Sequence, residues 1–258
     1  MTNRDKQLQA IDRLLTIMDE LREKCPWDRK QTFESLRYLT IEETYELSES
    51  LLGGDHDEIK SELGDLLLHV VFYAKIGSEQ SSFDIADVAN RICEKLIERH
   101  PHVFGDVVAN TDEEVKQNWE KIKLKEDNKG VLSGVPASLP PLVKAYRMQE
   151  KAAGVGFDWQ HIDGVVQKIE EEVREFYYEV NQKSQKRAEE EFGDLLFSLV
   201  NYARFIGINP DDALSNANQK FRKRFEKMES KISDRQIEMN QLDLDKWEKL
   251  WQEVKSEN

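Results

Sequence analysis

An all-α protein built as two copies of one helical bundle is what this 258-residue sequence predicts. Three observations point there. The six prolines, Pro26, Pro101, Pro136, Pro140, Pro141 and Pro210, leave Trp27–His100, Leu142–Asn209 and Asp211–Asn258 free of helix breakers. Inside those stretches apolar residues recur at helical spacing, as in Leu63, Leu66, Leu67, Val70 and in Val173, Phe176, Tyr177, Val180. No run alternates with period two. The halves also repeat one another. Adding 129 carries Glu43, Glu46, Glu62, Gly64, Asp65, Leu66 and Leu67 onto Glu172, Glu175, Glu191, Gly193, Asp194, Leu195 and Leu196. The same offset carries Tyr73-Ala74-Lys75 onto Tyr202-Ala203-Arg204. One register held this long marks an internal duplication.

Taken in order, the chain begins with Met1–Asp12, a polar segment of mixed charge without the apolar core of a signal peptide. No apolar run has membrane-spanning length, so a cytoplasmic protein is expected. Residues 1–126 read as an N-terminal helical domain. Residues 127–141, DNKGVLSGVPASLPP, hold two glycines, three prolines and two serines and read as a linker. Residues 142–258 read as the second helical domain. Hydrophobic residues make up 39% and charged residues 34%, the balance of a globular chain rather than a disordered one. Cys25 and Cys93 lie far apart with no zinc spacing around them, and are expected to be ordinary buried or half-buried thiols.

The net charge of −14 argues against nucleic acid or an anionic membrane as partner, since both need a basic footprint. A small anionic ligand remains compatible, provided divalent cations bridge it to an acidic site.

Each half carries E-x-x-E and, sixteen residues on, E-x-x-D. Residues three apart share a helix face, so Glu172 projects with Glu175, and Glu191 with Asp194. Sixteen residues allow the rest of one helix, a short turn and a return alongside it. The two pairs can then face each other across a helical hairpin. Val173, Phe176 and Leu195 adjoin them, so the carboxylates should border the buried stripe. A solvated acidic face explains any single E-x-x-E, and Thr40-Ile41-Glu42-Glu43 also fits a helix capping box. Two complete copies favour a metal site instead. Clustered carboxylates repel unless a cation neutralises them, and oxygen donors without His or Cys suit Mg²⁺, with Mn²⁺ as the second choice. The N-half set is Glu43, Glu46, Glu62 and Asp65.

Positive charge distinguishes the copies. Lys168 lies one turn before Glu172 and Arg187 one turn before Glu191, where the N half has Leu39 and Glu58. Simple i,i+4 ion pairing is one reading of these cations; contact with a polyphosphate is the other. Each half continues with Lys-x-x-x-Arg (Lys95 and Arg99; Lys220 and Arg224) and closes with Trp-x-x-x-Lys (Trp119 and Lys123; Trp251 and Lys255). Such pairs suit phosphate contacts beside an aromatic surface for a base, although a solvated face and a core tryptophan are the simpler readings.

With these residues assembled, the sequence resembles the MazG nucleoside triphosphate pyrophosphohydrolases of the all-α NTP pyrophosphatase superfamily. The markers are Cys25-Pro26-Trp27-Asp28, Glu42-Glu43-x-x-Glu46, Glu62-Leu63-Gly64-Asp65, His100-Pro101-His102-Val103-Phe104, Gly156-Phe157-Asp158-Trp159, Glu171-Glu172-x-x-Glu175 and Glu191-Phe192-Gly193-Asp194. The resemblance covers almost the whole chain, tandem arrangement included. It implies Mg²⁺-dependent cleavage of a nucleoside triphosphate between the α and β phosphates, giving monophosphate and pyrophosphate. It further implies that Glu172, Glu175, Glu191 and Asp194 hold the metal. By the same likeness Lys168, Arg187, Lys220, Arg224 and Trp251 match nucleotide-contacting positions, with Lys255 a weaker match. Asn201, whose N-half counterpart is Phe72, is a candidate for the base or sugar. The family's tandem members often rely on the C-terminal copy, and a homodimer is expected.

Metal chemistry is coherent with these residues on its own terms: cations can activate a water, while Lys and Arg stabilise departing pyrophosphate. A ferritin-like oxidase would need E-x-x-H, whereas both halves carry E-x-x-D. No G-x-x-x-x-G-K-[ST] loop is present. A catalytically silent helical regulator that binds nucleotide or metal is the non-enzymatic alternative; release of pyrophosphate separates the two.

Overall fold

A computed structural model describes residues 2–109, 111, 114, 115, 118, 119, 122 and 130–257. The fold is all-α, and no strand occurs among the described residues. Backbone contacts divide the chain into two compact units, 1–119 and 120–258. The sequence boundary at 126/127 lies outside the described residues.

In the first unit, α1 (Asn3–Lys24) starts on a capping box in which Thr2 and Asp5 satisfy each other's backbone amides. A single turn, Asp28–Lys30, follows. The second helix, α2 (Phe33–Gly53), opens on a Thr32–Ser35 box and ends at Gly54, whose φ of 76° is the left-handed stop that glycine tolerates. Asp55 caps α3 (His56–Glu79), which returns along α2. Next come α4 (Ile85–Arg99), started by an Asp84–Asp87 box, and the short α5 (Pro101–Phe104). Met18, Leu36, Val71, Phe72 and Ile76 form the core, with Leu14, Phe33, Leu39, Leu68 and Tyr73 against it. The Arg22 guanidinium ties the chain entry together, donating to the Asp28 and Gln31 carbonyls and to Glu79. Gly77 is small for a reason: a Cβ there would meet the Phe83 ring and carbonyl oxygen at 2.8 Å.

The second unit begins with α6 (Pro141–Gly154), with proline at its first turn, where no amide is needed. A hairpin follows: α7 (Ile162–Asn181) and α8 (Gln185–Phe205) pack along one another. The turn between them includes Lys183 at φ 56°. The α6 helix is pinned to α8 by Gln149, whose amide donates to the Phe197 carbonyl at 2.8 Å. Asn209 caps α9 (Pro210–Asp234), and Asp243 caps α10 (Leu244–Ser256). These last two helices bury Met228, Ile232, Leu250 and Val254 between them. Lys231 and Arg235 reach across to Glu253, and Lys231 also to Glu257.

One alternative reading falls away and one local expectation needs correction. Thr40 starts no helix: it lies inside α2, which begins at Phe33, and its hydroxyl meets the Leu36 carbonyl, His69 and Tyr73. Cys25 is half-buried as expected, but Cys93 is exposed on α4.

Candidate metal and nucleotide site

The carboxylates meet where the spacing places them, across helical hairpins. In the second unit α7 contributes Glu172 and Glu175, and α8 contributes Glu191 and Asp194. Glu172, Glu191 and Asp194 offer oxygens that all lie within 4.8 Å of one another. A second triplet, Glu171, Glu172 and Glu175, satisfies the same limit, so Glu172 belongs to both. Glu172 is only 3% exposed, which leaves little water to screen its neighbours. Burial pushes the Glu191 carboxyl up from its ordinary range, and Glu175, Glu172, Asp194 and Glu179 push it further.

Lys168 answers part of this charge. Its Nζ stands 2.6 Å from both Glu171 and Glu172, and hydrogen bonds to these carboxylates drive the ammonium pKa well up. Arg187, near the turn end of α8, pairs with Glu179 at 3.8 Å rather than with Glu191. From sequence, Glu171 was named only within the Glu171-Glu172-x-x-Glu175 marker, with no site role, and Glu179 was not singled out. The Glu171 signal was available, since Glu42-Glu43 repeats as Glu171-Glu172. Glu179 is seven residues after Glu172 on the same face, but its N-half counterpart is Ser50, so a search for repeats passes over it.

The first unit builds the matching cluster between α2 and α3. Glu43, Glu62 and Asp65 converge within 4.8 Å, while Glu46 stands beside Glu62 outside that triplet. Burial raises the Glu43 carboxyl, reinforced by Asp65, Glu46 and Glu62. Burial likewise raises Glu62, with Glu46 and Asp65 adding to it. The Oε2 atom of Glu62 is buried without a hydrogen-bond partner. Among the described residues no lysine ion pair reaches this cluster, and Leu39, at the position of Lys168, packs against the core. His69, one turn after Asp65, is buried and held by Thr40 at 2.7 Å; burial lowers its pKa.

Both clusters fit a hard divalent cation. Every donor is a carboxylate oxygen, and a cation with ligands at about 2.1 Å would draw the oxygens in by a small amount. The raised acids and the orphaned Glu62 oxygen are what such a charge would relieve.

Of the remaining candidates, Lys220, Arg224, Trp251 and Lys255 lie on α9 and α10, and Asn201 lies on α8. The Arg224 guanidinium lies 5.6 Å from the centre of the Trp251 ring, whose other neighbour is Phe221 at 5.5 Å. Trp251 also packs on the α9–α10 core, so its aromatic surface is shared between packing and exposure. The Arg224 Nε is buried and unpartnered. Lys220 is exposed one turn earlier, and an open groove runs along α9 past Lys220, Lys223, Arg224 and Lys227. Lys255 is exposed in the last turn of α10. Asn201, on α8, accepts from Arg204 at 2.9 and 3.1 Å, and Arg204 in turn holds Asp158 at 2.5 Å. Among the described residues no hydrogen bond or ion pair joins Lys220, Arg224, Trp251 or Lys255 to the carboxylates. In the N half Lys95 and Arg99 lie on α4, Trp119 is near His100, and Lys123 lies outside the described residues.

No helix among the described residues is long and apolar enough to cross a membrane. Residues 31–104 and 160–228 match the model of the MazG nucleotide pyrophosphohydrolase domain, so each carboxylate set falls inside one match. The chain is 44% identical over 257 residues to a nucleoside triphosphate pyrophosphohydrolase of Escherichia coli (strain K12), covering 96% of this chain and 98% of that protein. It is 45% identical over 250 residues to the Thermotoga maritima nucleoside triphosphate pyrophosphohydrolase/pyrophosphatase MazG, with 95% of each chain covered. A Bacillus subtilis protein, YabN, is 44% identical over 246 residues, which are 93% of this chain and 50% of that protein.

Proposed function

The chain belongs to the MazG nucleotide pyrophosphohydrolase family, and from that premise we propose that it hydrolyses nucleoside triphosphates between the α and β phosphates. The products are a nucleoside monophosphate and pyrophosphate. The single observation that carries this reading is the convergence of Glu172, Glu191 and Asp194 across the α7–α8 hairpin with Lys168 beside them.

In this proposal Glu172, Glu175, Glu191 and Asp194 hold Mg²⁺, or Mn²⁺ in its place. The ion supplies charge neutralisation and a water of lowered pKa when bound. Everything else falls to the chain. The four carboxylates would hold the ion against the hairpin, with Glu172 buried and Glu175 and Asp194 exposed toward solvent. Lys168 exchanges its carboxylate partners for phosphate oxygens once substrate arrives, and Arg187 meets the charge that develops on departing pyrophosphate. Lys220, Arg224 and Lys255 guide the polyphosphate, Trp251 offers a face to the base, and Asn201 addresses the base or sugar. No side-chain nucleophile is required.

A homodimer is part of the same proposal. Tyr177, Tyr178, Val180, Phe192 and Leu199 stay exposed on the second hairpin, and Tyr38, Ile41, Tyr45, Leu63 and Val70 on the first. The chain exposes 18735 Å². Two separate compact bodies of half its mass would together expose about 14,000 Å². Exposed apolar faces of this kind support a dimer in which two copies would cover them. The net charge of −14 supports no role for nucleic acid or membrane, and a cytoplasmic setting fits this reading.

The test follows ATP and Mg²⁺ with the purified protein by phosphorus NMR. AMP and pyrophosphate should appear together. Orthophosphate as the sole primary product would overturn the reaction.

A further inference from the structure

Glu179 has no place in the four-carboxylate set, yet it is 9% exposed and sits on the α7 face that carries Glu172 and Glu175. Its oxygens belong to neither convergent triplet. A buried carboxylate without compensation is costly, so it holds a cation nearby. That cation is Arg187, 3.8 Å away at the start of α8, across the turn that closes the hairpin. The arginine side chain is 71% exposed, so one edge of the guanidinium faces Glu179 while other donors remain open to solvent.

The internal duplication supplies an independent comparison. The counterparts of Glu179 and Arg187 are Ser50 and Glu58. Both partners change together. Ser50 is buried and turns its hydroxyl back onto the Leu47 carbonyl, forming no link across its hairpin. Glu58 is exposed and adds negative charge beside Glu62. The buried carboxylate and the guanidinium paired with it thus occur together in one copy and are both missing from the other.

Resting on the pyrophosphohydrolase assignment above, we infer that Glu179 is a positioning residue: it holds the Arg187 guanidinium at the mouth of the α7–α8 carboxylate site, oriented for a polyphosphate. A free arginine side chain loses rotamer entropy when it docks on substrate. An arginine whose guanidinium is already drawn to a fixed carboxylate through Nη1 loses less. Glu179 also adds negative charge near Glu191, but its oxygens lie outside both carboxylate triplets, and its positioning role runs through Arg187. The N-terminal copy lacks the device altogether.

A double-mutant cycle on the full-length protein tests this, using Glu179→Gln, Arg187→Ala and the pair. With ATP and Mg²⁺, each single variant should lose about tenfold in kcat/KM, the size of one hydrogen bond to a charged group. The double variant should lose little more than either single one. Losses that multiply would overturn the inference, as would a Glu179→Gln enzyme with unchanged kcat/KM. Arg187 is exposed, so its variant folds even if Glu179→Gln does not; full activity in Arg187→Ala would also overturn it. A second readout is independent of turnover. The Arg187 Nε–H signal, assigned by its loss in Arg187→Ala, should be sharp in the wild type and exchange-broadened in Glu179→Asp and Glu179→Gln. If the wild type released no pyrophosphate, the reaction assignment would fall while this signal still tested the tether. An Arg187 signal identical in all Glu179 variants would overturn the tether.

Discussion

Lys168 stands 2.6 Å from the Glu172 carboxylate, one helical turn away, and so places a positive charge against the most buried acid of the second cluster. The first cluster has Leu39 at that position, packed inward, and its Glu62 oxygen goes unpartnered. The two copies therefore share a donor set and differ in how it is neutralised. The predictions below follow from that difference.

Replacing Lys168 by Met should separate two effects. Lys168 competes with a divalent cation for Glu172, so its removal should tighten Mg²⁺ binding by a few-fold in a calorimetric titration. The same change should lower kcat/KM for ATP by about tenfold, because a charged donor to phosphate is lost. A parallel loss in both measurements would show that Lys168 serves the metal site only.

Protons and metal compete for the raised carboxyls. Glu43, Glu62 and Glu191 all have folded-state pKa values above their unfolded ones. Such groups stabilise the fold below the unfolded carboxylate value, and that contribution is lost as pH rises through the raised one. The metal-free protein should thus lose stability as pH rises out of the carboxylate range. Mg²⁺ should restore it, so the gain in Tm on adding Mg²⁺ should be larger at pH 8 than at pH 5.

At the other end of the unit, hydrogen bonds from Arg235 and Lys231 push the Glu253 carboxyl down to about 2. A depressed carboxylate stabilises above its unfolded value, and the contribution fades as pH falls toward the folded one. Because this network anchors α10, Glu253→Gln should loosen the helix that carries Trp251 and Lys255. A rise in KM for ATP of about threefold is expected, with kcat nearly unchanged, as suits an exposed ion-pair network.

Gly77→Ala probes the first unit without touching either carboxylate set. The added methyl would press on the Phe83 ring and on a backbone oxygen that cannot easily yield. Overpacking of this kind costs about 1–3 kcal/mol. Chemical denaturation should register that loss, while ATP turnover at room temperature should persist.

Much of the architecture was legible in the sequence because periodicity is a local signal. Proline positions and the 3.6-residue spacing gave helices, and a sixteen-residue gap between acid pairs is what a helical hairpin needs. The convergence of Glu172 with Glu191 and Asp194 follows directly. The capping-box alternative at Thr40 fitted because such a box is also a local pattern; the true start, Thr32 with Ser35, lies eight residues earlier. Glu179 was invisible for the opposite reason. Its importance lies in burial and in a partner beyond the turn, neither of which its identity reveals. Spacing along single helices also could not say where α10 packs, and so could not relate Trp251 and Lys255 to the carboxylates.

The central claim is that the second carboxylate cluster performs the hydrolysis, and pyrophosphate release from ATP by wild type, Glu172→Ala and Glu43→Ala tests it most directly. Glu172→Ala should abolish release and Glu43→Ala should largely spare it. Equal loss in the two variants would contradict it.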